Sequence, residues 1–210
     1  MFVRQNQNQF RNSNADVQLF YKSSNWLKPV GVSHVYMMLI GGGGNNSGSG
    51  GSSGAVTVWY GATQNVPDNL RISVSTGDSS NTTVSYVGTS TTTLLTANGA
   101  VIATNGSAMT ANQFANSGFF QSVAGQAWVN GGQSASSTTF LSTGTSASPN
   151  NANYGYTTFN NGYFQLQPII VGVGTASATG TDNVYAAIGC GAGSGANGKG
   201  GPGLVLIASW

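Results

Sequence analysis

Catalysis by a histidine base would depend on His34, the only histidine in the sequence. A serine nucleophile needs such a base within hydrogen-bond reach, and the base is itself oriented by a carboxylate. His34 stands inside the apolar run at residues 32–40, where a strand residue is the simpler assignment. With no Glu and four scattered Asp residues, the paired carboxylates of a glycosidase are also poorly supported. We therefore predict that the protein is not an enzyme.

The residue types in the sequence give little support for a cofactor site or a metal site. Residues 193–200 nearly match the phosphate-binding pattern GxxxxGK[ST], but Gly200 stands where the Mg²⁺-binding hydroxyl should be, and Pro202 follows where a helix must begin. One cysteine, Cys190, and one histidine cannot build a tetrahedral zinc site within a single chain. We predict no cofactor and no metal ion, and we take Cys190 as a small residue packed beside glycines.

The composition favours β structure. Charged residues make up only 5% of the 210 residues, against about 25% in an average protein. Aromatic residues make up 10%, so the chain can bury a core and disorder is not expected. Glutamate is absent and lysine is rare, while Gly, Ser, Thr and Asn dominate, which disfavours helix. The length suits one large β domain.

The same residues argue against three kinds of partner or location. The six cations are scattered, so we expect no nucleic-acid binding, which needs many phosphate contacts from Lys and Arg. No apolar stretch approaches the roughly 18 residues of a membrane helix, so we expect no membrane insertion. The N-terminal residues lack the apolar core of a signal peptide, so we expect synthesis in a cytoplasm.

Short apolar segments separated by turn residues predict many β-strands. In the segment at residues 70–75, apolar residues alternate with polar ones, which places Leu70, Ile72 and Val74 on an inward face. The candidate strands are residues 32–40, 55–60, 70–75, 82–87, 91–96, 100–103, 119–123, 138–141, 154–159, 163–173, 184–188 and 204–209. The predicted fold is all-β, an antiparallel β-sandwich or jelly-roll-like domain with glycine-rich loops. The only candidate helix is a single turn at residues 110–116, which a Thr would cap.

Residues 1–24 are predicted to form an extended N-terminal arm, and residues 25–210 the glycine-rich β-sandwich domain. The first part of the arm is rich in Gln and Asn and cannot fill a core. Its later part alternates loosely and could add as a strand to a neighbouring subunit. The candidate anchoring residues are Val17, Leu19, Phe20 and Tyr21. The sequence leaves a partly ordered terminus open as the alternative.

Glycine is concentrated in two tracts, each beside an apolar strand. Residues 41–44 follow the strand at 32–40, and residues 189–203 precede the strand at 204–209. Such tracts are flexible loops by default, but glycine also allows backbones to pack closely as polyproline-II-like strands. We favour loops. Since both tracts adjoin strong strands, we expect them to lie side by side at one end of the sheets.

Aromatic residues in loop-like settings are the best candidates for contact with a partner. Most of the aromatic residues are expected in the core or at subunit interfaces. Trp128, Tyr154 and Tyr156 stand among small polar residues, where a ring can stack on a sugar or pack against another protein. We take these three as candidate receptor or partner contacts.

The two ends of the domain resemble the glycine-rich virion and tail proteins of bacteriophages. The resemblance begins with Trp26, Pro29, Gly31, Val32 and Val35, continues through an apolar strand into residues 41–44, and ends with residues 200–210. It covers most of residues 26–210. The long repetitive shaft of a tail fibre does not precede the domain, which favours a small subunit placed directly on a head or tail.

The resemblance implies a non-enzymatic structural protein of the virion. The primary hypothesis is a capsid decoration or cement protein, or a short spike subunit, which docks through its N-terminal arm onto major capsid or tail proteins. A homo-oligomer is expected because a weakly charged surface gives little self-repulsion. The alternative is an adhesin at a tail or fibre tip that binds a host surface glycan through the glycine tracts and the three aromatic candidates. A coat protein whose arms bind genome is disfavoured by the sparse cations.

Overall fold

The computed structural model describes residues 15–45, 52–100, 104, 106–125, 141–143, 156–159, 169–173, 188–189, 191 and 199–210. These residues contain the strands β1 (Asp16–Phe20), β2 (Ser24–Leu27), β3 (His34–Ile40), β4 (Val56–Ala62), β5 (Asn69–Ser73), β6 (Thr82–Val87), β7 (Thr91–Ala97), β8 (Gly118–Val123), β9 (Leu141–Thr143), β10 (Tyr156–Phe159), β11 (Ile169–Val173) and β12 (Leu204–Ser209). Two short 3₁₀ helices, Thr63–Asn65 and Ala115–Ser117, are the helical elements within them. No helix in this described part of the chain is long and apolar enough to cross a membrane.

Five strands form an antiparallel sheet in the order β1-β12-β3-β4-β8. β12 and β3 pair in register from Leu204 opposite Ile40 to Ser209 opposite Val35. All six residues of β12 are buried, as are all residues of β3 except His34, which is half-buried. Strands that are buried on both faces are continuously apolar rather than alternating, which accounts for the two apolar runs in the sequence.

A second antiparallel sheet, in the order β2-β5-β6-β7, packs against one face of the first. Its strands alternate: in β5, Leu70 and Ile72 are fully buried, whereas Asn69 and Arg71 are exposed. The core between the two sheets contains Trp26, Val35, Met37, Leu39, Trp59, Val66, Leu70, Ile72, Val74, Val84, Leu94, Leu95, Ala97, Val205 and Ile207. The predicted all-β sandwich of antiparallel sheets is confirmed.

The other face of the five-stranded sheet carries a second apolar cluster. It includes Tyr36, Met38 and Ile40 of β3 together with Leu204 and Leu206 of β12. A smaller sheet in the order β11-β10-β9 lies beside this part of the fold, with β9 in contact with β4. The five-stranded sheet therefore has apolar residues on both faces.

Residues 16–20 and Ser24, which the sequence assigned to the N-terminal arm, belong to β-strands. β1 pairs with β12 of its own chain, from Asp16 opposite Ser209 to Phe20 opposite Val205. β2 then begins at Ser24. Residues 1–14 of the predicted arm lie outside the described residues.

Two predicted strands and the predicted helical turn are not among the strands given above. The segments at 100–103 and 184–188 lie largely outside the described residues. The turn expected at residues 110–116 is the 3₁₀ helix Ala115–Ser117. Its N-cap residue is Phe114, which makes no side-chain cap hydrogen bond, so the expected threonine cap was wrong. Asn112 Oδ1, two residues earlier, accepts a hydrogen bond from Ala115 N at 3.0 Å.

Candidate functional site, a glycine cluster at one end of the sandwich

The two glycine tracts meet where β3 ends and β12 begins. Gly43 N of the first tract donates to the carbonyl of Gly201 in the second at 2.9 Å. Within the second tract, Gly189 N donates to the carbonyl of Pro202 at 2.8 Å. The prediction that the tracts lie side by side is confirmed for the described residues. Backbone segments from other parts of the chain join them. Together they form the glycine cluster, which consists of residues 41–44, 52–55, 98–100 and 200–203 with Gly106, Gly125 and Gly189.

Main-chain hydrogen bonds hold the glycine cluster together. Gly44 N donates to Ser52 O at 2.8 Å, and Gly54 N donates to Gly189 O at 3.0 Å. Residues 41–44 and 52–55 are all buried. A buried peptide group that lacks a partner is costly, so these hydrogen bonds are what allows backbone to fill the interior here.

The glycine cluster also joins the two sheets. Ala100 N donates to Gly42 O at 2.9 Å, and Gly42 N donates to Ser80 O at 3.1 Å. Gly203 N donates to Ser75 O at 2.9 Å. Ser75 and Ser80 lie between β5 and β6, whereas Gly42 and Gly203 flank β3 and β12. This end of the sandwich is therefore closed by paired backbone from both sheets.

Glycine is needed here because neighbouring backbones leave no room for side chains. A Cβ atom at Gly200 would overlap the carbonyl of Gly43, and a Cβ atom at Gly54 would overlap the carbonyl of Gly41. The described glycines of the two tracts are thus buried and hydrogen-bonded rather than flexible loops. Residues 192–198, for which loops were also expected, lie outside the described residues, so there the expectation stays a prediction. The glycine-rich composition alone could not distinguish flexible loops from closely packed backbone.

The glycine cluster has no titratable side chain, and its described peptide groups are largely paired with one another. At its rim, Asn45 Nδ2 donates to Asp78 Oδ1 at 2.7 Å, and Asn45 Oδ1 accepts from Gly200 N at 2.9 Å. The arrangement therefore supplies no acid or base, and its serine hydroxyls, on Ser52 and Ser53, are buried. It supplies a rigid end to the sandwich. Binding residues in proteins commonly lie on loops that such a rigid scaffold positions.

The aromatic residues predicted as partner contacts lie mostly outside the described structure. Trp128 and Tyr154 are not among the described residues, and Tyr156 is the first residue of β10. The prediction that these three form one surface therefore stays a prediction.

Three of the candidate anchoring residues lie on the two faces of β1, and Tyr21 follows it directly. Val17, Leu19 and Tyr21 are 48%, 39% and 54% exposed. Phe20 is partly buried and packs against the core between the sheets. Phe20 is thus held by its own chain, whereas the other three residues are accessible.

His34 lies at the opposite end of the five-stranded sheet, in a stack of aromatic rings. Its ring centroid is 5.5 Å from that of Tyr60 and 6.2 Å from that of Trp210, with interplanar angles of 17° and 21°. Its Nδ1 atom is 2.9 Å from Ser33 Oγ. His34 is the first residue of β3, so its assignment to a strand is confirmed.

The sequence also contains the nucleophile-elbow pattern GxSxG at residues 50–54, which sequence reasoning missed. Its serine, Ser52, is buried in the glycine cluster. His34 stands at the far end of β3, a strand of seven residues. That length corresponds to roughly 20 Å, which is too far for proton transfer between Ser52 and His34. Among the described residues, no three His, Cys, Asp or Glu side chains are grouped so as to hold a metal ion.

An open cleft of about 570 Å³ lies beside the four-stranded sheet, at the end away from the glycine cluster. Lys28 Nζ is 2.6 Å from Asp68 Oδ1 and donates to Val66 O at 2.8 Å, while Tyr86 is 42% exposed. The lining residues are Lys28, Gln64, Asn65, Val66, Pro67, Asp68, Asn69 and Tyr86. Amide and carboxylate groups beside an exposed ring can bind a sugar by hydrogen bonding and stacking. The run of turn-forming residues at 64–69 was the available sequence signal for this cleft.

Comparison with known proteins gives no independent guide to the function of the cluster or the cleft. The sequence matches neither a protein-family model nor a curated protein.

Proposed function

We propose that this chain is a non-enzymatic structural protein of a bacteriophage virion, either a capsid decoration or cement subunit or a subunit of a short spike. The observation that carries the proposal is the glycine cluster, a rigid and uncharged end built from paired backbone. The described residues of the glycine tracts that resemble phage virion proteins are thus part of the folded body and help to close its two sheets together.

The surface of the four-stranded sheet supports the same proposal. Thr91, Thr92 and Thr93 of β7 are exposed, as is Asn69 of β5. Hydroxyl and amide groups therefore make up much of this face, and Arg71 is the one exposed charged residue in its four strands. Weak net charge leaves little electrostatic repulsion between copies of a subunit arranged closely on a particle.

Binding to phage heads tests the proposal directly. Purified protein added to heads that lack it should remain bound after washing, whereas host cells should retain none. Retention on cells with none on heads would contradict a decoration role.

Removal of residues 1–14 tests docking through the N-terminus. This deletion leaves β1 and β2 in place, so the far-ultraviolet circular dichroism spectrum should keep its β-sheet signal. The shortened protein should lose head binding. A deletion to residue 24 would not be a clean test, because it would remove β1 and uncover the edge of β12.

A second candidate function, a glycan-binding adhesin at a tail or fibre tip, is favoured by the cleft beside Tyr86. The cleft is open, and its polar side chains surround an exposed ring. In this function the aromatic candidates Trp128, Tyr154 and Tyr156 would add to the receptor surface.

Replacing Tyr86 with alanine tests the adhesin function. If the cleft holds a sugar, binding to host cells should weaken on the order of tenfold, because a stacking contact is lost. Val87→Ala is the matched control, since Val87 is the next residue along β6, is 53% exposed and does not line the cleft. Equal binding by the two variants would exclude the cleft, and alanine variants of Trp128 and Tyr154 would then be compared.

A further inference from the structure

β1 leaves the five-stranded sheet with an open edge among the described residues. It pairs with β12 on one side, and it ends the sheet on the other. Val17 and Leu19 stand opposite Ala208 and Leu206, on the face that carries the second apolar cluster, yet they are 48% and 39% exposed. An exposed edge strand with apolar side chains is a ready template for pairing with another strand.

The charges at the two ends of β1 complement each other if the strand pairs with itself. Asp16 is the first residue of β1, and Lys22 follows two residues after its end; both are exposed. In antiparallel pairing centred on Gln18, Asp16 of one copy lies opposite Phe20 of the other. The long side chain of Lys22, two residues further along in the bend after β1, can reach Asp16 diagonally at both ends of the interface. Parallel pairing would instead place like charges together. The charge pattern therefore specifies a second copy of this chain in the antiparallel direction.

We propose that two copies of this chain associate through β1, with the strands antiparallel and Gln18 on the two-fold axis. Val17 of each protomer then lies opposite Leu19 of its partner, which buries the exposed apolar side chains in cross-strand pairs. The interface is isologous, as a two-fold dimer requires. It joins five strands from each protomer into one continuous sheet of ten. The association does not depend on where the protein acts.

The other edges of the five-stranded and four-stranded sheets lack this combination among the described residues. β2 has only four residues. β7 exposes Thr91, Thr92 and Thr93 rather than an apolar row. β8 carries no charged residue that could specify a direction of pairing. Among the edges of these two sheets, β1 is thus the one at which apolar exposure and charge complementarity coincide.

Charge reversal tests the direction of pairing. Asp16→Lys and Lys22→Asp each place like charges together at both ends of the interface, so each should raise the dimer dissociation constant about tenfold. The double variant, with both reversals, should return close to the wild-type value because attraction is restored. Arg71→Asp, an exposed charge reversal on β5, is the control and should leave the constant unchanged. Sedimentation velocity over a range of protein concentration measures the constant, and circular dichroism shows that each variant is folded.

Introduced cysteines test the register. Opposed residues in an antiparallel pair have Cα atoms about 4.5–5.5 Å apart, which a disulfide can span. Gln18→Cys should therefore form a covalent dimer on mild oxidation, well above the background given by the native Cys190 in wild type. Val17→Cys alone should not, but a mixture of Val17→Cys and Leu19→Cys chains should.

Two results would overturn the proposal. One is a wild-type protein that stays monomeric up to about 1 mM, a concentration at which even weak interfaces associate. The other is a double charge variant that associates no better than the single variants. Head binding by a monomer would leave the proposed virion function in place, so the two proposals fail separately.

Discussion

Gly200→Ala should cause a large loss of stability, whereas the same substitution at Gly44 should be tolerated. A Cβ atom at position 200 would overlap the carbonyl of Gly43, and backbone held by hydrogen bonds cannot yield as a flexible side chain does. At Gly44 the nearest atom is Ser52 N at 3.3 Å, so a shift of a few tenths of an ångström is enough. We expect about 3 kcal/mol or more for Gly200→Ala and under about 1 kcal/mol for Gly44→Ala.

Urea unfolding, monitored by circular dichroism, measures the loss of stability in the Gly200→Ala and Gly44→Ala variants. Gly54→Ala should behave like Gly200→Ala, because its Cβ atom would overlap the carbonyl of Gly41 on the other side of the cluster. Against a typical domain stability of about 5–15 kcal/mol, either change removes a substantial fraction. Similar small losses at Gly44, Gly54 and Gly200 would show that the glycine segments are loosely packed, and would remove the main support for a rigid end.

The sequence predicts the central strands well because the pattern of apolar and polar side chains along a strand reflects which of its faces are buried. Residues 82–87 and 204–209 are strands at the predicted bounds, and β3 falls within the predicted residues 32–40. The pairing of β12 with β3 could not be predicted, since register depends on contacts between residues far apart in the chain. The same limit explains β1: its partner lies at the other end of the chain, so residues 16–20 resembled an arm.

The glycine cluster shows what sequence patterns leave out. Adjacency of the two tracts could be inferred from the strands that they adjoin. The close packing of the two tracts could not be inferred from the sequence, because the contacts are between backbone atoms, which every residue possesses. The overlap of a Cβ atom at Gly200 with Gly43 is a property of the assembled fold, and the composition is equally typical of a flexible linker. The cleft beside Tyr86 likewise requires β6 and the 64–69 turn to be placed together.

Trp59→Ala should destabilise the protein by about 3–5 kcal/mol, the range for a fully buried tryptophan. Trp59 is 0% exposed, and its ring is stacked on Phe114 with centroids 4.6 Å apart. Gly61 and Gly118 leave space for the ring, since a Cβ atom at Gly118 would lie only 3.0 Å from it. Alanine would leave a cavity between the sheets that these backbone neighbours cannot collapse to fill.

Trp59→Phe separates the packing of the ring from the indole N–H. Among the described residues this N–H has no hydrogen-bond partner, so removing it relieves a buried unsatisfied donor while most of the ring volume is kept. We expect a loss of about 1–2 kcal/mol, well below that of alanine. Chemical unfolding of the two variants measures the difference. A phenylalanine variant as unstable as the alanine variant would mean that the N–H is hydrogen-bonded after all, and that this bond contributes as much as the fit of the ring.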